Sequence, residues 1–134
     1  AFGPAMRGRG ADGVRSATAW VNILSVYALS NLPTYGPFSA SNAAAMSLSQ
    51  CLRAEMRPGG VRVMNVFTGP TEDSWHQPLP PPKVTPEVLA RSVVGALRDG
   101  LEDVYVGDVA KDLVDRWKAN PKVLERELTE LGDL

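Results

Sequence analysis

The sequence predicts an α/β fold of three parallel strands with helices on both faces. Ala19-Trp20-Val21-Asn22-Ile23-Leu24 and Val61-Arg62-Val63-Met64-Asn65-Val66-Phe67 are largely apolar runs with β-branched members, the pattern of parallel strands covered on both sides. Between them, a stretch rich in small residues from about Pro37 to Met56 reads as a helix, and Pro58-Gly59-Gly60 ends it immediately before the second run. Helix, tight glycine turn and apolar strand form one α/β unit, whose crossovers are right-handed.

Taken in order, residues 1 to 18 are expected to be irregular or partly helical. Gly8, Gly10 and Gly13 each cost about 1 kcal/mol relative to Ala inside a helix. Gly8-x-Gly10-x-x-Gly13 matches the G-x-G-x-x-G string, yet Met6-Arg7-Gly8-Arg9 is not the buried strand that must precede a phosphate-cradling turn. Arg7, Arg9 and Arg15 lack the interleaved aromatics of a nucleic-acid arm and read as a solvated loop. Residues 19 to 134 form the second, folded segment. Its first strand, 19–24, leads through Ser25-Val26-Tyr27-Ala28-Leu29 and the turn residues Ser30-Asn31-Leu32-Pro33 into the long helix. On that helix Ala45, Leu48, Leu52 and Met56 recur at three- and four-residue spacing as an apolar stripe. Ala40, Ala43, Ala44 and Ser47 leave another face almost without bulk, suited to close approach by a second helix. The second strand, 61–67, runs into Thr68-Gly69-Pro70-Thr71, at the carboxyl end where open α/β sheets bind ligands. Glu72 to Gln77 is a polar loop with the only histidine, His76, read as solvated, and with Trp75 over a ligand or over the core. Pro78-Leu79-Pro80-Pro81-Pro82 is a stiff spacer. Thr85 caps a helix carrying Leu89, Val93, Ala96 and Leu97 that stops at Asp99-Gly100. Asp103 to Val106 is the third strand. Asp108 caps a helix with Val109, Leu113, Val114 and Trp117, and Lys122 to Leu131 is a last amphipathic helix with Leu124, Leu128 and Leu131 on one side.

Composition narrows the classes. Hydrophobic content of 44% and charge content of 22% are ordinary for a globular protein. A net charge of −1 provides no long-range attraction to nucleic acid, and no apolar run approaches the ~20 residues of a membrane span. The single cysteine, Cys51, excludes an internal disulfide, fits a reducing cytoplasm and reads as a buried apolar filler on the helix. With one Cys and one His, no zinc site is expected.

The stretch Val21 to Met56 resembles the catalytic segment of the short-chain dehydrogenases/reductases. In that family a Ser at a strand end is followed about a dozen residues on by Tyr-x-x-x-Lys at the start of the next helix. Here Ser25 is in place, the Tyr position is Phe38 and the Lys position is Asn42. The resemblance implies that the missing Tyr would transfer the proton and the missing Lys would lower its pKa and hold the nicotinamide ribose. Phe38 has no proton to give and Asn42 no charge. Tyr35 stands three residues earlier, in a Tyr-x6-Lys register similar to the divergent enoyl reductases of the same superfamily. It is either the acid in that register, again facing Asn42, or an aromatic of the Thr34-Tyr35-Gly36-Pro37 turn. Gly69, Pro70 and Thr71 match, in altered order, the family's Pro-Gly and Thr contacts to the nicotinamide.

The resemblance covers the C-terminal half of a Rossmann-like doubly wound sheet, without the glycine-rich turn that cradles the pyrophosphate. It implies NAD or NADP as cofactor, or none bound by this chain. Two functions follow. The chain is a non-catalytic or structural subunit of a dehydrogenase-type assembly, inactive as an isolated chain. Alternatively it is an oxidoreductase component acting on a carbonyl or alcohol, with NAD(P) bound by a partner chain. Either way the apolar edge of 19–24 needs cover, from a second copy or a complementary chain, with helix 38–56 as the other contact.

Overall fold

The computed structural model describes residues 2–11 and 18–132. In chain order the regular elements are α1 (Gly3–Ala11), β1 (Ala19–Ser25), α2 (Gly36–Met56), β2 (Arg62–Thr68), α3 (Pro86–Asp99), β3 (Asp103–Val106), α4 (Asp108–Ala119) and α5 (Pro121–Gly132). The strands form one parallel sheet in the order β1-β2-β3. β1 and β2 each continue one residue beyond the apolar runs, because the ladder extends to Ser25 opposite Thr68. All three carboxyl ends therefore open on the same edge of the sheet.

Side-chain alternation splits the core into two layers. On one face Leu24 and Phe67 pack with Ala110 and Leu113 of α4 and Leu124 and Leu128 of α5, and α2 closes this layer. On the other, Met64, Val66 and Val106 meet Leu89, Val93 and Ala96 of α3. Helices thus cover both faces, as expected, and truncating a buried Leu of the first layer or Met64 of the second to Ala costs about 2–5 kcal/mol.

A polar seam runs through the first layer. Trp20 Nε1 donates to Asn22 Oδ1 at 2.9 Å and Asn22 Nδ2 donates to Asn65 Oδ1 at 3.1 Å. Asn65 Nδ2 donates to Ser49 Oγ at 2.7 Å, and Ser49 Oγ donates to Met46 O at 2.6 Å. Asn65 and Ser49 are each 2% exposed, so each bond also relieves a desolvation cost.

That seam sets the rotation of α2 and corrects two expectations. The buried seats on the helix belong to Ser39, Ser49 and Met56, while Leu48 is 69% exposed. Cys51 is exposed as well, not a buried filler. With Ala40, Ala44 and Ser47 they form an outward face. Leu131 is likewise exposed, one turn beyond the buried pair Leu124 and Leu128 on α5.

At the opposite edge of the sheet, α1 lies across the turn after α2. Arg7 Nη2 donates to Glu55 O at 2.7 Å, and a Cβ on Gly59 would meet Arg7 Cγ at 2.8 Å. Gly8 and Gly10 lie within this helix; Gly13, Arg15 and the rest of 12–17 lie outside the described residues. Among the described residues β1 is an edge strand, and Ile23 on it is 51% exposed.

Candidate functional site

The carboxyl ends of β1 and β2, the first turns of α2 and the loop after β2 enclose a cavity of about 220 Å³. Its polar lining comes from Ser25, Asn42, Thr68, Thr71 and His76, and its apolar walls include Ile23, Phe38 and Leu89.

Ser25 closes β1 and caps the 3-10 turn Val26–Ala28. Its Oγ accepts from Tyr27 N at 3.1 Å, and among the described residues its own O–H has no acceptor. Asn42 joins this strand end to α2. Its Oδ1 accepts from Ser25 N at 2.8 Å and its Nδ2 donates to Phe38 O at 2.9 Å. This bonding assigns the amide orientation, and one N–H of Nδ2 remains for the cavity. Ser39, one residue after Phe38, accepts from Leu32 N at 3.3 Å and pins the intervening loop to the helix.

Phe38 forms one wall. Its ring centroid lies 6.0 Å from that of Trp75 and 6.1 Å from that of His76, the latter edge-on. Tyr35 does not line this cavity. It stacks at a tilt on Trp75, with centroids 6.0 Å apart, and packs against the α4–α5 layer. Trp75, 56% exposed, thus lies over the aromatic pair at the loop surface. Tyr27, next to Ser25, is a phenol whose pKa is pushed up by burial, the direction that disfavours giving up a proton.

Gly69, Pro70 and Thr71 begin the loop. A Cβ on Gly69 would lie 2.9 Å from Val109 Cβ, so the close approach of α4 requires glycine there. Pro70 O accepts from Val84 N at 2.8 Å and Val84 O accepts from Glu72 N at 2.9 Å, so Val84 clips both ends of the loop together. Below the clip, Gly107 takes φ 89° at the head of α4, where a Cβ would come within 2.5 Å of Val84 Cγ2. Gly107, not Asp108, therefore occupies the cap position, and it supplies no side-chain hydrogen bond.

Inside the loop, Thr71, Asp73 and His76 form a hydrogen-bonded cluster that the sequence reading missed by treating His76 as solvated. Thr71 Oγ1 donates to Asp73 Oδ2. His76 N donates to Asp73 Oδ1 at 2.8 Å, and His76 Nδ1 lies 2.8 Å from Asp73 Oδ2. The Thr71 hydrogen bond, with the His76 contacts, holds the Asp73 carboxyl well below the usual carboxylate range. The His76 side chain is 17% exposed, against 43% for Asp73. The signal was the Asp-x-x-His spacing, which suits one turn of loop closing on itself.

A second depression, of about 380 Å³, lies beyond Val84 between α3, β3 and the head of α4; Lys83, Asp108 and Lys111 are its charged lining residues. Among the described residues no group of three His, Cys, Asp or Glu side chains is placed to hold a metal. No described helix is long and apolar enough to cross a membrane.

Residues 12–82 match the family model described as short chain dehydrogenase. The chain is 36% identical over 107 residues to the short-chain dehydrogenase ptmH of Penicillium ochrochloron, covering 72% of this chain and 38% of that protein. A short-chain dehydrogenase from Burkholderia cenocepacia, solved in complex with NADP, superposes with a TM-score of 0.85 at 32% identity, over 95% of this chain and 51% of that one. A short-chain dehydrogenase from Streptomyces avermitilis shares the fold with a TM-score of 0.68 at 24% identity, over 95% and 52%. The chain thus spans about half or less of the length of these relatives.

Proposed function

The chain belongs to the short-chain dehydrogenase family, and on that premise we propose that it is a structural and ligand-holding member, non-catalytic as a dehydrogenase, that does not run the family's proton relay. The observation that carries this reading is the pair Phe38 and Asn42. Phe38 stands at the position of the acid and has no exchangeable proton. Asn42 stands at the position of the cation, and its amide is engaged at both ends, by Ser25 N and Phe38 O. A lysine there offers no acceptor to Ser25 N–H, so the asparagine has taken up a structural task.

The nicotinamide segment supports the same reading. The polar groups of Gly69-Pro70-Thr71 are largely used within the loop: Pro70 O by Val84, and the Thr71 hydroxyl by Asp73. Gly8 and Gly10 lie inside α1 and not at a helix N-terminus following a strand, so the described residues contain no pyrophosphate cradle. They do not fit a complete NAD(P) site.

Residues 19–134 are the C-terminal half of a Rossmann-like unit, with 1–18 as an appended segment. The outer edge of β1 and the outward face of α2 are the surfaces for a second copy or a complementary chain, and the exposed unpaired thiol of Cys51 fits the cytoplasm. The second reading makes this chain the substrate side of an NAD(P)-dependent carbonyl or alcohol oxidoreductase whose nucleotide is held elsewhere. The free O–H of Ser25 in the cavity favours it.

Native mass spectrometry with NAD(H) and NADP(H) tests the choice. No nucleotide adduct is expected, and Phe38→Tyr with Asn42→Lys should yield no dehydrogenase turnover by the isolated chain. A stoichiometric adduct would overturn the non-catalytic reading.

A further inference from the structure

The cavity keeps a proton-transfer device that needs no nicotinamide. His76 Nδ1 faces Asp73 at 2.8 and 2.9 Å and Thr71 at 3.1 Å; with Nδ1–H donating to the carboxylate, Nε2 is the lone-pair nitrogen. Among the described residues Nε2 has no protein partner. Ser25 and Asn42 line the same cavity, each with one unused donor hydrogen, and Phe38 stands edge-on to the imidazole with Trp75 packed against Phe38. A base held by a carboxylate, two neutral donors and a largely apolar wall are the parts required to remove a proton next to a carbonyl.

We propose that this cavity catalyses redox-neutral enolisation of small, largely apolar ketones, with His76 as the base, Ser25 and Asn42 as donors to the carbonyl oxygen and Asp73 as the positioning residue. His76 Nε2 takes the α-proton, the C–H electron pair forms the C=C bond, and the carbonyl π pair moves to oxygen. The enolate oxygen accepts from Ser25 Oγ–H and Asn42 Nδ2–H, while the Asp73 charge stabilises the imidazolium. Return of the proton from Nε2 to the same carbon gives exchange, and return to the γ-carbon of a β,γ-enone gives isomerisation. No electrons are gained or lost overall, so no co-reactant is needed. At about 220 Å³ the cavity lies below the ~300–1,000 Å³ of drug-sized sites, which selects compact ketones.

The test follows loss of the α-proton signal of cyclohexanone in D2O by NMR, with the 134-residue chain. Exchange above the buffer rate is expected, falling about 100-fold in His76→Gln, a variant whose amide still reaches Asp73 and keeps the loop folded. Asp73→Asn should lower kcat with KM little changed, which a loss of loop order would not do. Added imidazole should restore exchange in His76→Ala. Wild-type exchange at the buffer rate, or full activity in His76→Gln, would overturn the proposal. Neither result bears on nucleotide binding, so this assay and the mass spectrometry fail independently.

Discussion

Two asparagines tie a strand to α2, one in the middle of the sheet and one at its carboxyl edge. Asn65 joins β2 to Ser49 through a buried hydrogen bond. Asn42 joins the helix to Ser25 N at the mouth of the cavity. Both use oxygen and nitrogen at once, and both fix the position of α2. The difference is solvent: Asn65 has no alternative partner, whereas Asn42 is half-buried and water can replace part of what it provides. A residue that reads as lost chemistry at the edge therefore performs the same structural task as one that reads as core.

The largest break in this comparison should come from Asn65→Leu. It leaves half-buried Asn22 Nδ2 without its acceptor and takes from buried Ser49 Oγ one of its two partners, the bond to Met46 O remaining; a buried polar group left unpaired costs about 1–3 kcal/mol. The urea midpoint should fall accordingly, and a stability within 0.5 kcal/mol of wild type would refute the seam. Gly69→Ala comes next, because its Cβ would meet Val109 Cβ at 2.9 Å and the cost of overpacking is about 1–3 kcal/mol; thermal unfolding reads it. Asn42→Ala should cost about 1 kcal/mol, less than Asn65→Leu. If the two losses prove equal, the mouth is drier than the comparison allows. The smallest effect is that of pH. Asp73 has a depressed folded pKa, so its contribution is complete above the ordinary Asp value of about 3.9 and is lost as pH falls from there through the folded value. The Asp73 side chain is 43% exposed, so the change should be local, visible in the His76 amide signal by NMR while the global fold persists.

The sheet and its helices were legible because strand and helix periods are written in apolar residues: the strand expected at 61–67 occurs one residue later, at Arg62–Thr68, and the Thr85 cap and the Leu124–Leu128 pair occur as expected. The rotation of α2 was not legible. Leu48 has the hydrophobicity for a buried seat, and Ser49 takes it because Asn65 on the neighbouring strand needs a partner, a pairing across 16 residues that periodicity does not encode. The edge cavity was half legible. Ser25, Asn42 and Thr71 were singled out and line it, and Tyr35 was singled out and does not. His76 entered it through a local bond to Asp73, because loop geometry depends on side-chain hydrogen bonds that leave no period in the sequence.

The Val84 clip has a consequence for how such a domain diversifies. Both ends of the segment from 72 to 83 are held by one residue's backbone, through Val84 N to Pro70 O and Val84 O to Glu72 N. Everything between is a surface insert on a closed stem, and doubling the length of such a loop costs only about 0.6 kcal/mol in closure entropy. Sequences grafted at 77 to 82, beyond His76, should change what the cavity admits while leaving the sheet intact, so selectivity and foldability can be altered separately.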